Sequence, residues 1–176
     1  DNGPVLNDGY FDDAVEKLGA HTPWGNLRGG KYSLFEAGTR VPFLTYWKGQ
    51  IKPAISDELV SQIDLLNSIA ALVGSKKRSR DGQNLKGVLF QNKGRGRKEL
   101  IIEATTRTAL KFENWVLIPP YQGPKISPNV HIELGNETDY QLYNLENDPS
   151  QQYNLAEGEP QKLKELIARY SQIMED

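Results

Sequence analysis

At 176 residues, with 38% apolar and 25% charged side chains, the chain can bury one ordinary core or one core with a small satellite layer, and its composition is neither disordered nor fibrous. A formal charge of −2 gives no global attraction to nucleic acid or to an anionic membrane, so either would need a local patch. The absence of cysteine excludes disulfides, thiolate metal sites and thiol catalysis, and leaves the redox compartment open.

No apolar run approaches the roughly 20 residues of a membrane helix, and no signal-peptide pattern opens the chain, so a soluble protein is expected. Asp1-Asn2-Gly3-Pro4 lacks an initiator Met and reads as a turn cut from something longer. Residues 1 to 40 are rich in Gly, Asn and Asp, with few apolar positions in register, which predicts long functional loops on a surface. Val41-Pro42-Phe43-Leu44-Thr45-Tyr46-Trp47 is apolar on both faces of any strand and predicts a buried strand of a parallel or mixed sheet. From Leu59 to Val73 the steps of Leu59, Ile63, Leu66, Ala70 and Val73 predict a helix, with Asp57 or Ser61 as N-cap and Gly74 as left-handed C-terminal cap. Ser75 to Gly82 is basic and turn-rich, the composition of a solvated loop rather than a nucleic-acid patch.

Leu100-Ile101-Ile102 opens a second layer. Thr108–Phe112 and Trp115–Ile118, separated by Glu113-Asn114, predict a hairpin, and Tyr140–Leu145 predicts another strand of a small antiparallel sheet. Pro160 stands at a first helical position. Leu163, Leu166, Ile167, Tyr170, Ile173 and Met174 form a one-faced stripe, so a closing helix should cover that sheet. The composition changes within 75 to 98, which places a boundary between two halves there.

Four segments in fixed order resemble the sulfatase family of the alkaline phosphatase superfamily, over nearly the whole chain. They are Asp1-Asn2-Gly3-Pro4; Leu27-Arg28-Gly29-Gly30-Lys31 with Glu36-Ala37-Gly38-Thr39-Arg40-Val41-Pro42; Ser61 to Leu66; and Leu142 to Pro149 with Asn154-Leu155-Ala156. Ala37 stands where the family usually has Gly, and Asn67 where Pro is frequent. The resemblance implies an α/β fold: residues 1–95 as the C-terminal portion of an alkaline-phosphatase-like sulfatase catalytic domain, and 96–176 as a small α+β subdomain of antiparallel sheet and C-terminal helix.

A carboxylate beside an amide carbonyl on a tight turn suits a hard divalent cation, though two ligands cannot complete the six to eight oxygens that calcium takes. By resemblance Asp1 and Asn2 help bind calcium, with acidic residues from a missing N-terminal part of the catalytic domain. Lys31 follows a glycine pair that lets backbone approach an anion, and in the family this lysine contacts the sulfate. It is the catalytic and substrate-binding candidate, placed to stabilise charge developing on a transferred sulfuryl group. His21 could hydrogen-bond sulfate or sugar, or equally cap a turn. Trp24 and Trp115 could stack on a sugar ring or sit in a core; His131 is not a catalytic candidate. Glu36 and Arg40, four apart, suit a structural ion pair.

The family's nucleophile is a formylglycine made from a Cys or Ser in a Cys/Ser-x-Pro-x-Arg motif, and this sequence has no such motif. The expectation is a parent enzyme, a sulfuric ester hydrolase acting on a sulfated carbohydrate or aryl sulfate with calcium assistance, and an isolated chain without turnover. The alternatives are a phosphatase or phosphodiesterase of the same superfamily and a non-catalytic module binding sulfated glycan. A periplasmic or secreted location, with no membrane or nucleic-acid partner, is implied by resemblance.

Overall fold

The computed structural model describes residues 2–175. In chain order its elements are α1 (Glu36–Thr39), α2 (Asp64–Leu72), α3 (Lys86–Gln91), β1 (Glu99–Ala104), β2 (Arg107–Phe112), β3 (Trp115–Ile118), β4 (Gln141–Asn144) and α4 (Pro160–Glu175). The strands form one four-stranded sheet in the order β1-β2-β3-β4, with β2–β3 and β3–β4 antiparallel. Two compact units result, one of residues 2–41 with 100–175 and one of residues 42–99. The first 41 residues fold with the sheet.

In the first unit the hairpin forms where two turn residues separate two apolar runs. Phe112 pairs with Trp115 and Leu110 with Leu117, and Glu113 takes the left-handed φ of 52° that the tight connection requires. Strand alternation then gives the sheet two different apolar faces. Leu110, Phe112, Leu117 and Leu142 meet α4 through Leu166, Leu163, Ile167, Tyr170 and Ile173. Leu166 is completely buried, and truncation to Ala would cost about 2–5 kcal/mol. Met174, expected on the same stripe, is 52% exposed in the last turn.

The opposite face, Ile102, Ala104, Ala109, Val116, Ile118 and Tyr143, packs on Leu34 and Phe35. Phe35 stands edge-to-face with Tyr143 at 6.0 Å between centroids. The N-terminal segment is therefore only partly the surface loop expected. Tyr10 and Phe11 are exposed, but Ser33 to Gly38 is buried, anchored by two adjacent apolar residues too short a run to show a period.

In the second unit α2 begins at Asp64, later than the apolar steps suggested. Ser61 lies in the preceding turn, and its N–H donates to the Asp64 carboxylate at 3.0 Å. The C-terminus follows the expected pattern: Gly74 has φ 72°, and the Ser75 N–H reaches back to the Ala70 carbonyl at 2.8 Å. The buried face of α2 is polar, carrying Asp64, Asn67 and Ser68, whereas Ile63, Leu66, Ile69 and Val73 are 46–70% exposed. Asp64 accepts from both Nε and Nη2 of Arg97 and from the Gln83 N–H. Asn67 holds Ser79 and the Gly82 carbonyl. Residues 41–47, expected as a buried strand, form no strand among the described residues. Leu44 is 92% and Tyr46 86% exposed, because no neighbouring strand offers the ladder that would bury them.

Candidate functional site

Lys31 and the Asn2-Gly3-Pro4 turn, 27 or more residues apart in sequence, are joined by main-chain bonds. The Lys31 N–H donates to the Pro4 carbonyl at 2.9 Å, and the Gly3 N–H donates to the Gly38 carbonyl at 2.7 Å. The approach is close enough to dictate glycine: a Cβ on Gly3 would lie 1.7 Å from the Ala37 carbonyl oxygen, and one on Gly38 would lie 2.2 Å from that of Ser33. The glycines around the motif are thus a packing requirement of the crossing between the turn and α1. The same crossing tolerates Ala37, which is buried.

The sheet supplies the anchors. On β2, Arg107 and Lys111 lie on the same face as Ala109, toward the residue 28–40 segment. Arg107 is 9% exposed and donates to the carbonyls of Tyr32 (2.7 Å) and Leu134 (2.8 Å) and to Asn136 Oδ1 (2.6 Å). Burial pulls its pKa down, opposed by the nearby Tyr121. Lys111 Nζ bonds both carboxylate oxygens of Glu36 at 2.8 and 2.9 Å, so Glu36 is tied to the sheet more closely than to Arg40, which stands at 3.6 Å. The Glu36 N–H donates to the buried Gln151 Oε1 at 2.7 Å, while Gln151 Nε2 has no partner among the described residues.

Arg28 forms a two-pronged pair with Glu133 at 2.8 and 3.0 Å and donates to the Gln151 carbonyl, with its guanidinium 4.0 Å from the Phe35 ring centre. The hydrogen bond to Glu133 raises the Arg28 pKa against the effect of burial, and the same bond lowers that of Glu133. These anchors were not legible in the sequence, since Glu36 and Lys111 lie 75 residues apart and Arg28 and Gln151 123 apart.

Between the anchors, Tyr32 holds a left-handed φ of 75°. Such strain in an aromatic residue persists only where surrounding contacts impose it, here the Arg107 bond to its carbonyl. The Lys31 ammonium lies 5.4 Å from the Tyr32 ring centre and has no anionic partner among the described residues. Asn2, exposed, borders an open cleft with Tyr32, Thr39, Glu103 and Thr105. A second groove, sharing Tyr32 and Thr105, is bordered by Asp8, Arg107, Ser127 and Asn129.

Asp1 lies outside the described residues, and among those described no three His, Cys, Asp or Glu side chains gather as a metal site. Asn2 offers one oxygen of the type calcium takes, so this chain's described residues fit a contributing role rather than a complete site. His21 is exposed; its N–H donates to the Leu18 carbonyl at 3.2 Å, and no hydrogen bond or ion pair among the described residues joins its ring to Lys31. Trp115 packs in the α4 cluster and Trp24 is half-buried.

Residues 1–75 match the Sulfatase family model. An N-acetylgalactosamine-6-O-sulfatase from Bacteroides thetaiotaomicron is 40% identical over 170 residues, covering 94% of this chain and 33% of the relative. Human arylsulfatase A is 28% identical, covering 85% of this chain and 32% of that protein. Among solved structures, one from work on the metabolism of multiple glycosaminoglycans by Bacteroides thetaiotaomicron superposes with a TM-score of 0.93 at 37% identity, over 99% of this chain and 37% of that one. A Pseudoalteromonas sp. sulfatase shares the fold at a TM-score of 0.67 and 22% identity, over 97% of this chain and 35% of that one.

The fold is therefore α/β of the alkaline-phosphatase-like sulfatase class. The chain belongs to the sulfatase family, and it spans about a third of the length of the relatives it matches.

Proposed function

We propose that this chain is the sulfate-gripping part of a sulfatase that hydrolyses sulfate esters of a carbohydrate, with Lys31 contacting the sulfate and Asp1 and Asn2 contributing to a calcium site. The observation that carries the reading is the Lys31 ammonium, left without an anionic partner among the described residues on a backbone tied to the Asn2-Gly3-Pro4 turn. A cation held in place by others' bonds costs nothing to reorganise when negative charge develops beside it. Buried Arg107 and the Glu36–Lys111 pair fix the loop, so they position Lys31 rather than touch substrate. Similarity to an N-acetylgalactosamine-6-O-sulfatase and to glycosaminoglycan metabolism favours a sulfated carbohydrate.

In this reading a formylglycine supplies the nucleophile and calcium the charge neutralisation, both needing residues beyond those described. The isolated chain is inactive, and the active protein works in the periplasm or outside the cell, with His21 at the substrate's edge. Residues 1–95 then belong to the catalytic domain and 96–176 to its C-terminal subdomain. The test is to assay the full-length protein on matched sulfate and phosphate esters with calcium. Sulfate hydrolysis lost in Lys31→Ala supports the proposal; phosphate preference, or glycan binding without hydrolysis, overturns it.

A further inference from the structure

The net charge of −2 conceals an uneven distribution. Residues 42–99, one of the two compact units, carry eleven Lys and Arg against five Asp and Glu, a net of +6. The other residues carry ten against eighteen, a net of −8. Within the basic unit the excess lies in one stretch: between Asp64 and Glu99 there are nine Lys and Arg and a single carboxylate, Asp81. Two of the nine are matched, Arg97 by buried Asp64 and Arg95 by Glu58. Lys76, Lys77, Arg78 and Lys93 are exposed and, with half-buried Lys86, form no ion pair among the described residues.

Composition describes such a stretch as a solvated loop, but in the fold its main chain is pinned. The Asn67 side chain accepts from the Ser79 N–H at 2.6 Å and donates to the carbonyls of Ser79 (3.2 Å) and Gly82. Arg97 Nη2 donates to the Asp81 carbonyl at 2.6 Å, and Asp64 accepts from the Gln83 N–H at 2.7 Å. Ser68 Oγ accepts from the Leu85 N–H at 2.9 Å, just before Lys86 opens α3, and the Lys93 N–H closes the far end of α3 on the Gly87 carbonyl at 3.0 Å. The buried polar face of α2 thus holds the basic loop and α3 in one place. Arg78 is fixed further, since its Nη1 donates to the Ser75 and Lys77 carbonyls at 2.9 and 2.6 Å. Its Nε and Nη2 bond no described residue, and together they are the parallel donor pair that suits an oxyanion.

We propose that Lys76, Lys77, Arg78, Arg80, Lys86 and Lys93 form a second binding surface, which grips a sulfated polysaccharide chain at sugars other than the one whose ester Lys31 addresses. The choice of ligand rests on the sulfated-carbohydrate reading above, while the surface rests on charge. Anions repeating along a polymer meet several fixed cations at once, and release of their counterions gives affinity without a shaped pocket. The acidic remainder of the chain repels the same polymer, which confines binding to this unit. Further polypeptide would leave the surface open, because Lys and Arg are almost never fully buried without a partner. Nucleic acid fits less well, since residues 75 to 86 contain no aromatic side chain on which a base could stack. Holding the polymer at a second place raises the effective concentration of its esters.

The test compares two triple variants of the full-length protein on immobilised chondroitin sulfate. Lys76→Glu with Lys77→Glu and Arg78→Glu should weaken binding by about tenfold or more. Lys17→Glu with Lys125→Glu and Lys164→Glu, which reverses as many cations in the acidic unit, should weaken it by less than about twofold. Both sets change surface side chains and should leave the melting temperature within about 2 °C. For the unaltered protein, log affinity should fall with log salt at a slope of about −3. The first variant should raise KM on the polymer at unchanged kcat and leave KM on a small aryl sulfate as it was. Absence of measurable binding, equal weakening by both sets, or equally tight binding of double-stranded DNA overturns the proposal. Lys31→Ala should abolish hydrolysis and keep polymer binding, so a failure of the hydrolytic reading and a failure of this surface are told apart.

Discussion

Lys31 and Gly3 carry opposite kinds of constraint. Lys31 is held by its main chain and its ammonium has no anionic partner among the described residues, so Lys31→Ala should leave melting of the full-length protein within about 1 °C while lowering kcat for sulfate hydrolysis on the order of a hundredfold. Equal loss of stability and rate would instead make it a structural residue. Gly3 is held by contact: the added methyl of Gly3→Ala would strike the Ala37 carbonyl, so about 1–3 kcal/mol of stability should go, read by urea unfolding. The motif glycines were visible in the sequence as a pattern. Their reason was not, because the atoms they avoid belong to residues 34 positions away or to the far side of a turn.

At the scale of elements, α2 shows how periodicity can be read correctly and still mislead. The stripe from Ile63 to Val73 is real, but a stripe tells which residues share a side and not which side is covered. In the described residues the covered side is the one with Asp64, whose burial alone would raise its pKa. The bonds from Arg97, Gln83 and Ser61 outweigh that and hold it below the ordinary carboxylate value. A carboxylate with a depressed folded-state pKa stabilises the fold above its unfolded value near 4, and that contribution is lost as pH falls through the folded value. Unfolding monitored across pH 5 to 2 should therefore show stability falling below about pH 4, and Asp64→Asn should flatten that part of the profile. At neutral pH the same substitution leaves Arg97 buried beside a neutral amide and should cost about 3–5 kcal/mol. The hairpin and α4, by contrast, were legible because each makes its decisive contacts nearby in sequence or along one regular face.

For the whole molecule, calcium separates what this chain holds from what the parent enzyme would hold. Asn2 is one oxygen donor in the described structure, so calcium should leave the melting temperature of the 176-residue chain unchanged. The full-length protein should gain about 2.7 kcal/mol at a calcium concentration one hundred times its Kd and lose hydrolysis on chelation. Calcium stabilising the 176-residue chain equally would show that the site is more complete here than the donors suggest.

The sequence by itself determined the family, the hairpin, the β4 strand and the closing helix, because motif order and local periodicity are properties of neighbouring residues. Only the tertiary structure decided that Leu34 and Phe35 cover one face of the sheet, that Arg107, Lys111 and Gln151 fix the loop carrying Lys31, and that the stripe of α2 faces outward. Those facts depend on which surfaces meet across 75 to 123 residues of chain, and no period or motif in one segment records the side on which another will pack.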